Sequence, residues 1–399
     1  MKNKITIGID ASRSIDMLQK TGVEVVSDNL VSSIQNQSVK DNNLNIIYYT
    51  PKKISWLPKE NQRILNWPFK YLWTQIRLAW ELLIHPPDKF FVPVHKIPFL
   101  ILLLSFRLKP ESRMQRKTPG SRIKSGMTNK IELYILIHDI AFIKTPKLYP
   151  RARRWYLNYD LKRCLKKCTK IFVPTQAVKN DLLKHTTVKE NKIIVIHHGY
   201  RPFCHSELVS ESPEILNQVQ DDRFRVNKSK TGVKKKQILY IGRLEKKKNI
   251  RNLIKAFEIF YSNHKDYELI LAGPIQMKLE KIPHVKYTGY VTGEQKHNLL
   301  QESNCLVLVS HEEGFGFPIL EAWDYNLPVL TSNIPVLREV GGNACLYTDP
   351  DSPENIAQKL ETLTFDEHTR AKLKEWGSER LKNFSWPTAA QKYLQEILQ

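Results

Sequence analysis

The sequence predicts an α/β protein made of two doubly wound, Rossmann-like domains. Short apolar runs typical of buried parallel strands alternate with amphipathic helical stretches over most of the 399 residues. This alternation runs through two cycles, which a polar and charged stretch between Arg201 and Lys236 separates. A chain of this length can bury two cores. Because ligands of open α/β sheets bind beyond the carboxyl ends of the strands, we expect the two domains to face a central cleft.

The first domain is predicted over residues 1–200. Apolar runs of four to six residues indicate its strands, and the stretches between them carry helical periodicity. The predicted strands are Ile5–Ile9, Leu44–Tyr49, Phe90–Val94, Leu133–His138, Ile171–Pro174 and Ile193–His197. The predicted helices include Val23–Ile34, Tyr71–Leu83 and Thr175–Leu183.

The second domain is predicted over residues 237–380, after a linker at 201–236. Its strands begin with Gln237–Arg243 and continue with Leu269–Ala272, Val285–Tyr287, Leu306–Val309 and Val329–Thr331. Residues 381–399 predict a closing helix: Ser385 is a suitable cap, Pro387 lies in the first turn, and apolar residues follow at helical spacing.

Two segments interrupt this alternation and are interpreted as insertions. Residues 107–129 are rich in Arg, Lys, Ser, Pro and Gly without periodicity, and Cys204–Arg225 is equally unlike its flanks. Long irregular loops lie on the surface, so we expect both there. An alternative for the basic first insertion is a contact with lipid.

Composition excludes several classes of protein. The five cysteines contain no Cys-x-x-Cys pair, which favours a reducing, cytoplasmic compartment over a disulfide framework. The chain begins with Met-Lys-Asn-Lys followed at once by a strand, so we expect no signal peptide. The longest apolar run, Ile97–Phe106, is far short of the roughly 20 residues that span a bilayer.

The net charge of +22 implies an anionic partner. Nucleic acid, an acidic membrane surface and phosphorylated substrates all fit this charge, and so does a merely lysine-rich surface. No nucleic-acid-binding module is recognisable in the sequence. We therefore expect phosphorylated ligands and peripheral contact with an anionic membrane, and no nucleic acid.

The stretch from Cys305 to Ser332 is the most informative in the chain. It predicts a buried strand, a tight glycine loop and a helix that has a proline in its first turn. A glycine loop that leads into a helix aims free backbone N–H groups at one point, where an anion can bind. Glu313 precedes the loop and Glu321 lies in the helix, so both carboxylates can accept hydrogen bonds from hydroxyls above the strand ends.

The run Glu-Gly-Phe-Gly-Phe-Pro-Ile-Leu-Glu-Ala, residues 313–322, closely resembles the signature of glycosyltransferase family 4, group 1 enzymes of the GT-B fold that retain anomeric configuration. The resemblance implies that Glu313 contacts hydroxyls of the donor sugar and that Glu321 contacts the ribose of the nucleotide. It places Gly314, Phe315 and Gly316 in the donor-binding loop. It also implies that the closing helix crosses back to the first domain.

Arg243 and Lys248 flank the loop that follows the first strand of the second domain. A guanidinium and an ammonium at a strand end can bracket a diphosphate. Both residues match the diphosphate-binding pair of the same family, whereas Lys246 and Lys247 fit a solvated basic loop. Two fixed cations remove the need for a metal at the leaving group.

Three residues of the first domain are further candidates. Gly22, in Thr-Gly-Val-Glu at a helix start, corresponds to a family loop that covers the donor phosphates, although only one glycine is present here. His138, in Ile-His-Asp-Ile-Ala-Phe, matches the family histidine that reaches the donor sugar; the alternative is a structural strand-end histidine. His95 also ends a strand and is a candidate for the acceptor side, whereas a hinge or structural role is favoured for His197 and His198.

We expect a metal-independent reaction without a cofactor other than the nucleotide-diphosphate sugar itself. No Asp-x-Asp motif follows a strand in the manner of a metal site, and Asp349-Pro-Asp351 fits a turn and helix cap.

The sequence therefore predicts a retaining glycosyltransferase that moves a hexose, mannose among the candidates, to a glycan or lipid-linked acceptor in lipopolysaccharide or other surface polysaccharide synthesis. Whether either carboxylate acts as a covalent nucleophile stays open. Two rivals remain. One is another GT-B enzyme, such as a glycogen-synthase-like transferase or a sugar-nucleotide epimerase. The other is a non-catalytic relic that binds nucleotide sugar weakly or not at all.

Overall fold

A computed structural model of the chain describes residues 4–15, 22–38, 44–69, 72–94, 97–98, 131–202 and 234–399. His95 and both predicted insertions lie outside these residues.

The first domain is built on a parallel sheet of seven described strands. Their order across the sheet, β3-β2-β1-β4-β5-β6-β7, reverses direction next to β1, so a crevice opens at the carboxyl edge there. The strands are β1 Ile5–Asp10, β2 Leu44–Thr50, β3 Gln62–Ile64, β4 Lys89–Val92, β5 Glu132–Leu136, β6 Lys170–Val173 and β7 Ile193–Val195.

Helices cover both faces of this sheet. They are α1 Gly22–Ser38, a π-helix Trp73–Leu78 that runs directly into α2 Ala79–Ile84, α3 Ala141–Lys144, α4 Arg151–Lys167 and α5 Gln176–His185, with 3₁₀ turns at Lys59–Asn61, Pro146–Leu148 and Glu190–Lys192. Alternate residues of a strand point to opposite faces. Phe90 and Val92 accordingly pack in one cluster with α2 and α4, and Phe91 packs in another with α1.

The second domain repeats this architecture with six described strands in the order β10-β9-β8-β11-β12-β13, all parallel. The strands are β8 Gln237–Ile241, β9 Glu268–Ala272, β10 Val285–Gly289, β11 Cys305–Leu308, β12 Val329–Ser332 and β13 Leu346–Thr348. The helices are α6 Ile250–Asn263, α7 Gly293–Glu302, α8 Phe317–Asp324, α9 Pro335–Gly341, α10 Pro353–Phe365 and α11 Glu367–Leu381, with a 3₁₀ turn at Lys246–Lys248.

The last helix, α12 (Trp386–Leu398), packs on the first domain. The Ser385 side chain caps its start by accepting a hydrogen bond from the backbone N–H of Thr388 at 3.3 Å. At its other end, the Lys89 Nζ donates to the Ile397 carbonyl oxygen at 2.6 Å, and the Lys170 Nζ donates to the Glu396 carbonyl oxygen at 2.8 Å. Two first-domain lysines thus satisfy carbonyls that a helix end otherwise leaves unpaired.

The predicted α/β fold with two doubly wound domains is confirmed, and most strand predictions differ from the structure by one or two residues. The prediction of the Asp349–Asp351 cap was wrong in one respect. Asp349 makes the turn, since its Oδ1 accepts from the backbone N–H of Asp351 at 2.9 Å, but the residue that caps α10 is Ser352. The Ser352 hydroxyl accepts from the backbone N–H of Asn355 at 3.1 Å.

Candidate active site

The glycine loop after β11 leads directly into α8, as the sequence predicts. Gly316 precedes α8 with a φ of 104°, a backbone conformation that favours glycine, and Pro318 lies in the first turn. A Cβ at Gly316 would lie 2.8 Å from the Leu337 Cδ2, so a larger residue would require the Leu337 side chain to move. The N–H groups at the start of α8 are held where a negatively charged group can approach them.

Glu313 and Lys248 form an ion pair at the carboxyl edge of the second sheet. The Lys248 Nζ lies 2.6 Å from the Glu313 Oε2, and the Ser310 hydroxyl donates to the Glu313 Oε1 at 2.7 Å. The Glu313 side chain is only 9% exposed. Two predicted site residues that are 65 positions apart therefore share one charge-neutral unit.

Arg243 lies at the mouth of the same edge and is exposed. Its backbone is fixed from both sides: Gly242 has a φ of 149°, and the Tyr240 hydroxyl donates to the Arg243 carbonyl oxygen at 3.1 Å. The structure thus presents an exposed arginine at the start of the loop that leads to Lys248. A diphosphate that bridged Arg243 and Lys248 would draw the lysine away from Glu313 and free that carboxylate for hydroxyl groups.

Glu321 lies in α8, and its Oε1 accepts a hydrogen bond from the Lys296 Nζ of α7 at 2.7 Å. Its side chain is partly exposed. Lys296 was not predicted as a site residue. The Thr292 capping box marks the start of α7, but no sequence pattern pairs Lys296 with a residue 25 positions later in the chain.

His138 faces the glycine loop across the cleft. A Cβ at Gly314 would lie 2.6 Å from the His138 carbonyl oxygen, so the glycine loop and the segment that follows β5 approach as closely as a glycine allows. The His138 Nε2 lies 3.0 Å from the Pro93 carbonyl oxygen, and this contact requires that Nε2 carry the proton. The structure therefore brings His138 to the loop that contains Gly314 and Phe315.

Two lysines cross the cleft beside this contact. The Lys144 Nζ bridges the Asp181 Oδ2 of its own domain at 2.8 Å and the Glu312 Oε2 of the other domain at 3.0 Å. The Lys247 Nζ lies 3.9 Å from the Asp139 Oδ2. Burial lowers the pKa of Lys247, but Asp139 and Glu245 outweigh it, and the pKa is raised overall. Lys247, interpreted above as part of a solvated basic loop, is thus a cross-domain contact.

His198 lies in an aromatic junction between the domains. It is 1% exposed and stacks on Phe317 with ring centroids 5.6 Å apart and on Trp386 at 5.7 Å. The Phe315 ring lies 4.9 Å from it and the His138 ring 5.6 Å. Burial, followed by the nearby charges of other histidines, holds the pKa of His198 well below its usual range. His198 is thus a neutral packing residue that ties the glycine loop to the closing helix.

Glu339 of α9 binds the first domain through both carboxylate oxygens. They accept from the backbone N–H groups of Gln176 at 2.6 Å and Ala177 at 2.8 Å, at the start of α5, and Oε1 also lies 3.0 Å from the His197 Nε2. Burial raises the pKa of Glu339, but these hydrogen bonds outweigh it and the pKa is lowered. We call this contact the Glu339 clasp.

The described contacts do not test the roles of two predicted residues. Gly22 begins α1 with no atom within 4 Å of where its Cβ would lie, so the close backbone approach predicted for it remains a prediction. His95 lies outside the described residues. Asp10, which sequence reasoning missed, ends β1 at the carboxyl edge; burial raises its pKa against the opposing effect of Ser12. The sequence feature that could have indicated Asp10 is its position as an acidic residue at the end of a predicted strand.

Chemically, the site combines an exposed guanidinium, an ammonium paired with a carboxylate, and helix-start N–H groups. This set can neutralise a departing diphosphate and accept hydrogen bonds from sugar hydroxyls. Within the described part of the chain, no cluster of three or more His, Cys, Asp or Glu side chains is placed to hold a metal ion.

Comparison with known proteins associates the second domain with one family. Residues 221–380 match the family model for glycosyl transferases group 1. The chain is 27% identical over 261 residues to O-antigen chain mannosyltransferase B of Escherichia coli, which covers 62% of the chain and 65% of that protein. It is 28% identical over 239 residues to O-antigen chain mannosyltransferase RfbU of Salmonella typhimurium, covering 57% and 60%. The chain thus spans a little under two thirds of the length of these relatives.

Solved structures agree over the whole chain. Anabaena Alr3699/HepE in complex with UDP and glucose matches with a TM-score of 0.64 at 15% identity and covers 98% of both chains. Sucrose-phosphate synthase from Thermosynechococcus elongatus matches with a TM-score of 0.67 at 14% identity, again over 98% of both chains. At these identities the likeness concerns the fold, and the fold is GT-B.

Proposed function

We propose that the protein is a retaining hexosyltransferase that transfers a sugar from a nucleotide-diphosphate donor to a hydroxyl of a glycan or lipid-linked acceptor. The observation that carries this proposal is the Lys248–Glu313 pair beside the exposed Arg243 and the glycine loop, in the region that matches the group 1 family. Mannose is the sugar we propose, because the similar O-antigen proteins are named mannosyltransferases.

In the proposed mechanism, Arg243, Lys248 and the start of α8 stabilise the negative charge that develops on the departing diphosphate. Lys248 leaves Glu313 when the diphosphate binds, and Glu313 then accepts hydrogen bonds from hydroxyls of the donor sugar. His138 holds the sugar from the first domain, and Glu321 accepts from the ribose. The acceptor hydroxyl attacks from the face that the diphosphate leaves, and its proton passes to the leaving phosphate.

We propose that two cations replace a metal at the leaving group and that the acceptor binds against the first domain. A lipid-linked acceptor would bring the enzyme to the cytoplasmic surface of a membrane as a peripheral protein. Among the described residues, no helix is long and apolar enough to cross a bilayer.

The test is a thermal-shift screen of the purified protein against UDP, GDP, ADP and dTDP in the presence of EDTA. A ligand that binds only the folded state adds about 2.7 kcal/mol of stability at a hundredfold excess over its dissociation constant. We expect one nucleotide to raise the melting temperature, and we expect Arg243→Ala and Glu321→Ala to abolish this shift. Arg251→Ala, an exposed arginine on α6, is the matched control and should keep it.

No shift with any nucleotide, in a protein that melts cooperatively, would overturn the proposal and favour the non-catalytic relic. A shift that appears only after Mg²⁺ or Mn²⁺ is added would overturn the metal-independent part alone. Donor hydrolysis that does not depend on an acceptor would favour another GT-B enzyme. Retention is tested separately by the anomeric configuration of the product in NMR.

A further inference from the structure

The helical segment from residue 72 to residue 84 exposes a stripe of apolar side chains. The residues of this segment that are exposed are apolar without exception and recur every four positions. They are Leu72 at 60% exposed, Ile76 at 48%, Trp80 at 59% and Ile84 at 44%. Residues four apart project from one side of a helix, and the other side, which carries Trp73, Leu78 and Leu82, is buried in the core.

Such a stripe is not ordinary surface. Single exposed apolar side chains are common, but contiguous apolar patches mark binding surfaces. Phe69, which is 68% exposed, precedes the stripe and extends its apolar character toward β3. Leaving these side chains in water has a free-energy cost that a partner would remove.

A strongly cationic helix lies on the same face of the first sheet. Helix α4 carries seven Arg and Lys residues and one acidic residue. Its Trp155 is 69% exposed and stacks on Tyr159 with ring centroids 5.7 Å apart and an interplanar angle of 5°. The Arg163 guanidinium lies 5.3 Å from the Tyr159 ring centroid. An exposed aromatic pair among cations is typical of surfaces that meet lipid headgroups.

The two helical elements share their core cluster. Trp73 and Leu82 pack with Leu161 and Leu165 of α4 against one face of β4 and β5. Helices α1 and α12 pack against the opposite face of the sheet. We call the exposed residues of 72–84 together with those of α4 the docking face.

We infer that the docking face binds a lipid bilayer that contains anionic headgroups. The apolar stripe would enter the headgroup region, while Trp155 and Tyr159 lie at the interface and the α4 cations contact lipid phosphates. Two other partners fit this surface less well. A second copy of the chain would place the seven cationic side chains of one α4 opposite the seven of the other. A nucleic acid would match the cations but would not bury the aliphatic side chains of the stripe. The inference deepens the proposed function, since it supplies the surface on which a lipid-linked acceptor would be met.

The experiment is co-sedimentation of the full chain with vesicles at 0.15 M salt. One arm uses vesicles of phosphatidylcholine with 30% phosphatidylglycerol, and the other uses phosphatidylcholine alone. Comparing the two arms distinguishes binding that requires anionic headgroups from binding to any lipid bilayer. The variants are Ile76→Ser with Trp80→Ser, and Lys162→Glu with Lys166→Glu. The matched control is Lys372→Glu with Trp376→Ser on α11 of the second domain, where both residues are exposed and four apart.

We expect the wild type to bind the anionic vesicles, each docking-face pair to weaken binding by tenfold or more, and the control pair to change it by less than twofold. All changed residues are exposed, so the melting temperatures should match the wild type. Equal binding by wild type and both docking-face pairs would overturn the inference. So would a dimer in light scattering that Trp80→Ser dissociates while no vesicle binding occurs.

The two proposals fail in distinguishable ways because the nucleotide shift is measured without vesicles. Vesicle binding through the docking face, without any nucleotide-induced shift in melting temperature, would support this inference and contradict the proposed transferase function. A nucleotide shift without vesicle binding would do the reverse.

Discussion

Glu313 is the residue at which most features of the site meet. Its carboxylate accepts hydrogen bonds from the Lys248 ammonium and the Ser310 hydroxyl, and the next residue, Gly314, lies against the first domain. A buried carboxylate is tolerated only when such partners are present. The pairing also keeps Lys248 in place before a diphosphate arrives.

Replacing Lys248 with Met should therefore lower the turnover of donor to free nucleotide by about 10² to 10³-fold, the usual loss when one preorganised charge stabiliser is removed. Lys248→Arg should keep part of the activity, since it retains the charge. The measurement is nucleotide release with the donor identified in the thermal-shift screen.

Lys246→Met is the matched control for that substitution, because Lys246 is an exposed lysine of the same 3₁₀ turn. It should leave turnover within about twofold. If Lys248→Met retained wild-type turnover in a folded protein, Lys248 would have no place in the chemistry.

The residues of the site were predictable where they are neighbours in sequence. Glu313, Gly314 and Gly316 belong to one loop whose glycine pattern is visible in the sequence. The partners that act across long separations were not predictable in the same way. Periodicity places His138 at a carboxyl edge, but it contains no information that its carbonyl oxygen touches Gly314. The same applies to Lys296 and to the cross-domain role of Lys247.

At the scale of elements, α12 is held at its carboxyl end by charge as well as by packing. Lys89 is buried, and its Nζ reaches both the Ile397 carbonyl oxygen and, at 3.2 Å, the Glu132 carboxylate. A cation at a helix carboxyl end is favoured by the helix dipole. The lysine therefore links β4, β5 and the end of the chain.

Lys89→Met should lower the melting temperature, since it removes the charged donor of the Ile397 carbonyl oxygen and leaves that oxygen to the Tyr134 hydroxyl, 3.1 Å away. The expected cost is about 1.5–3 kcal/mol, the usual contribution of a hydrogen bond that involves a charged group. Calorimetry measures it. Lys392→Met, which removes an exposed lysine from the same helix, is the control and should change the stability by less than about 0.5 kcal/mol. Equal effects of the two substitutions would contradict the role of Lys89.

Element prediction succeeded or failed according to the length of the apolar signal. The strands β1, β2 and β8 have five to seven residues and are rich in Ile, Leu and Tyr, and their positions were predicted within one or two residues. β3 and β13, which were not predicted, have three residues each and lie in mixed polar sequence, whereas the equally short β7 lies in the apolar run 193–196 and was predicted. The π-turn at Trp73–Leu78 within the predicted helix 71–83 has no recognised sequence signature, so only the helix itself was predictable.

At the scale of the whole molecule, the Glu339 clasp joins the domains by one carboxylate that faces a helix start. The N–H groups at a helix start and a carboxylate attract each other through both hydrogen bonding and the helix dipole. The clasp explains why the two domains contact each other on the side of α5 and α9.

Glu339→Gln should reduce the stability of the folded protein at pH 7 by about 1–3 kcal/mol, because the amide has one acceptor oxygen for the two backbone N–H groups and its nitrogen cannot accept a hydrogen bond. The pKa of Glu339 is lowered in the folded state. Its contribution is therefore fully present above the ordinary glutamate pKa and is lost as the pH falls through the lowered value. Calorimetry at pH 7, 5 and 4 should show the two proteins converging at the acidic end. A difference in melting temperature that stays constant with pH would contradict this account.

The two-domain plan was predictable because two cycles of strand and helix are visible in 399 residues. The contacts that join the domains were not, because a single carboxylate such as Glu339 has no pattern that distinguishes it from other surface glutamates. The start of the closing helix was predictable, since Ser385 and Pro387 mark it in the sequence.

That return has a mechanical consequence. The backbone N–H of Tyr200, where the chain leaves the first domain, donates to the Phe384 carbonyl oxygen at 3.0 Å, and Tyr200 forms a parallel bridge with Ser385. A Cβ at Gly199 would lie 2.1 Å from the Trp386 backbone nitrogen, so the outgoing and returning strands of chain are pressed together. The two crossings of the chain are thus bonded to each other, on the side where the domains meet. Any opening of the cleft that kept them together would have to break the Lys144–Glu312 and Gln176–Glu339 contacts as well.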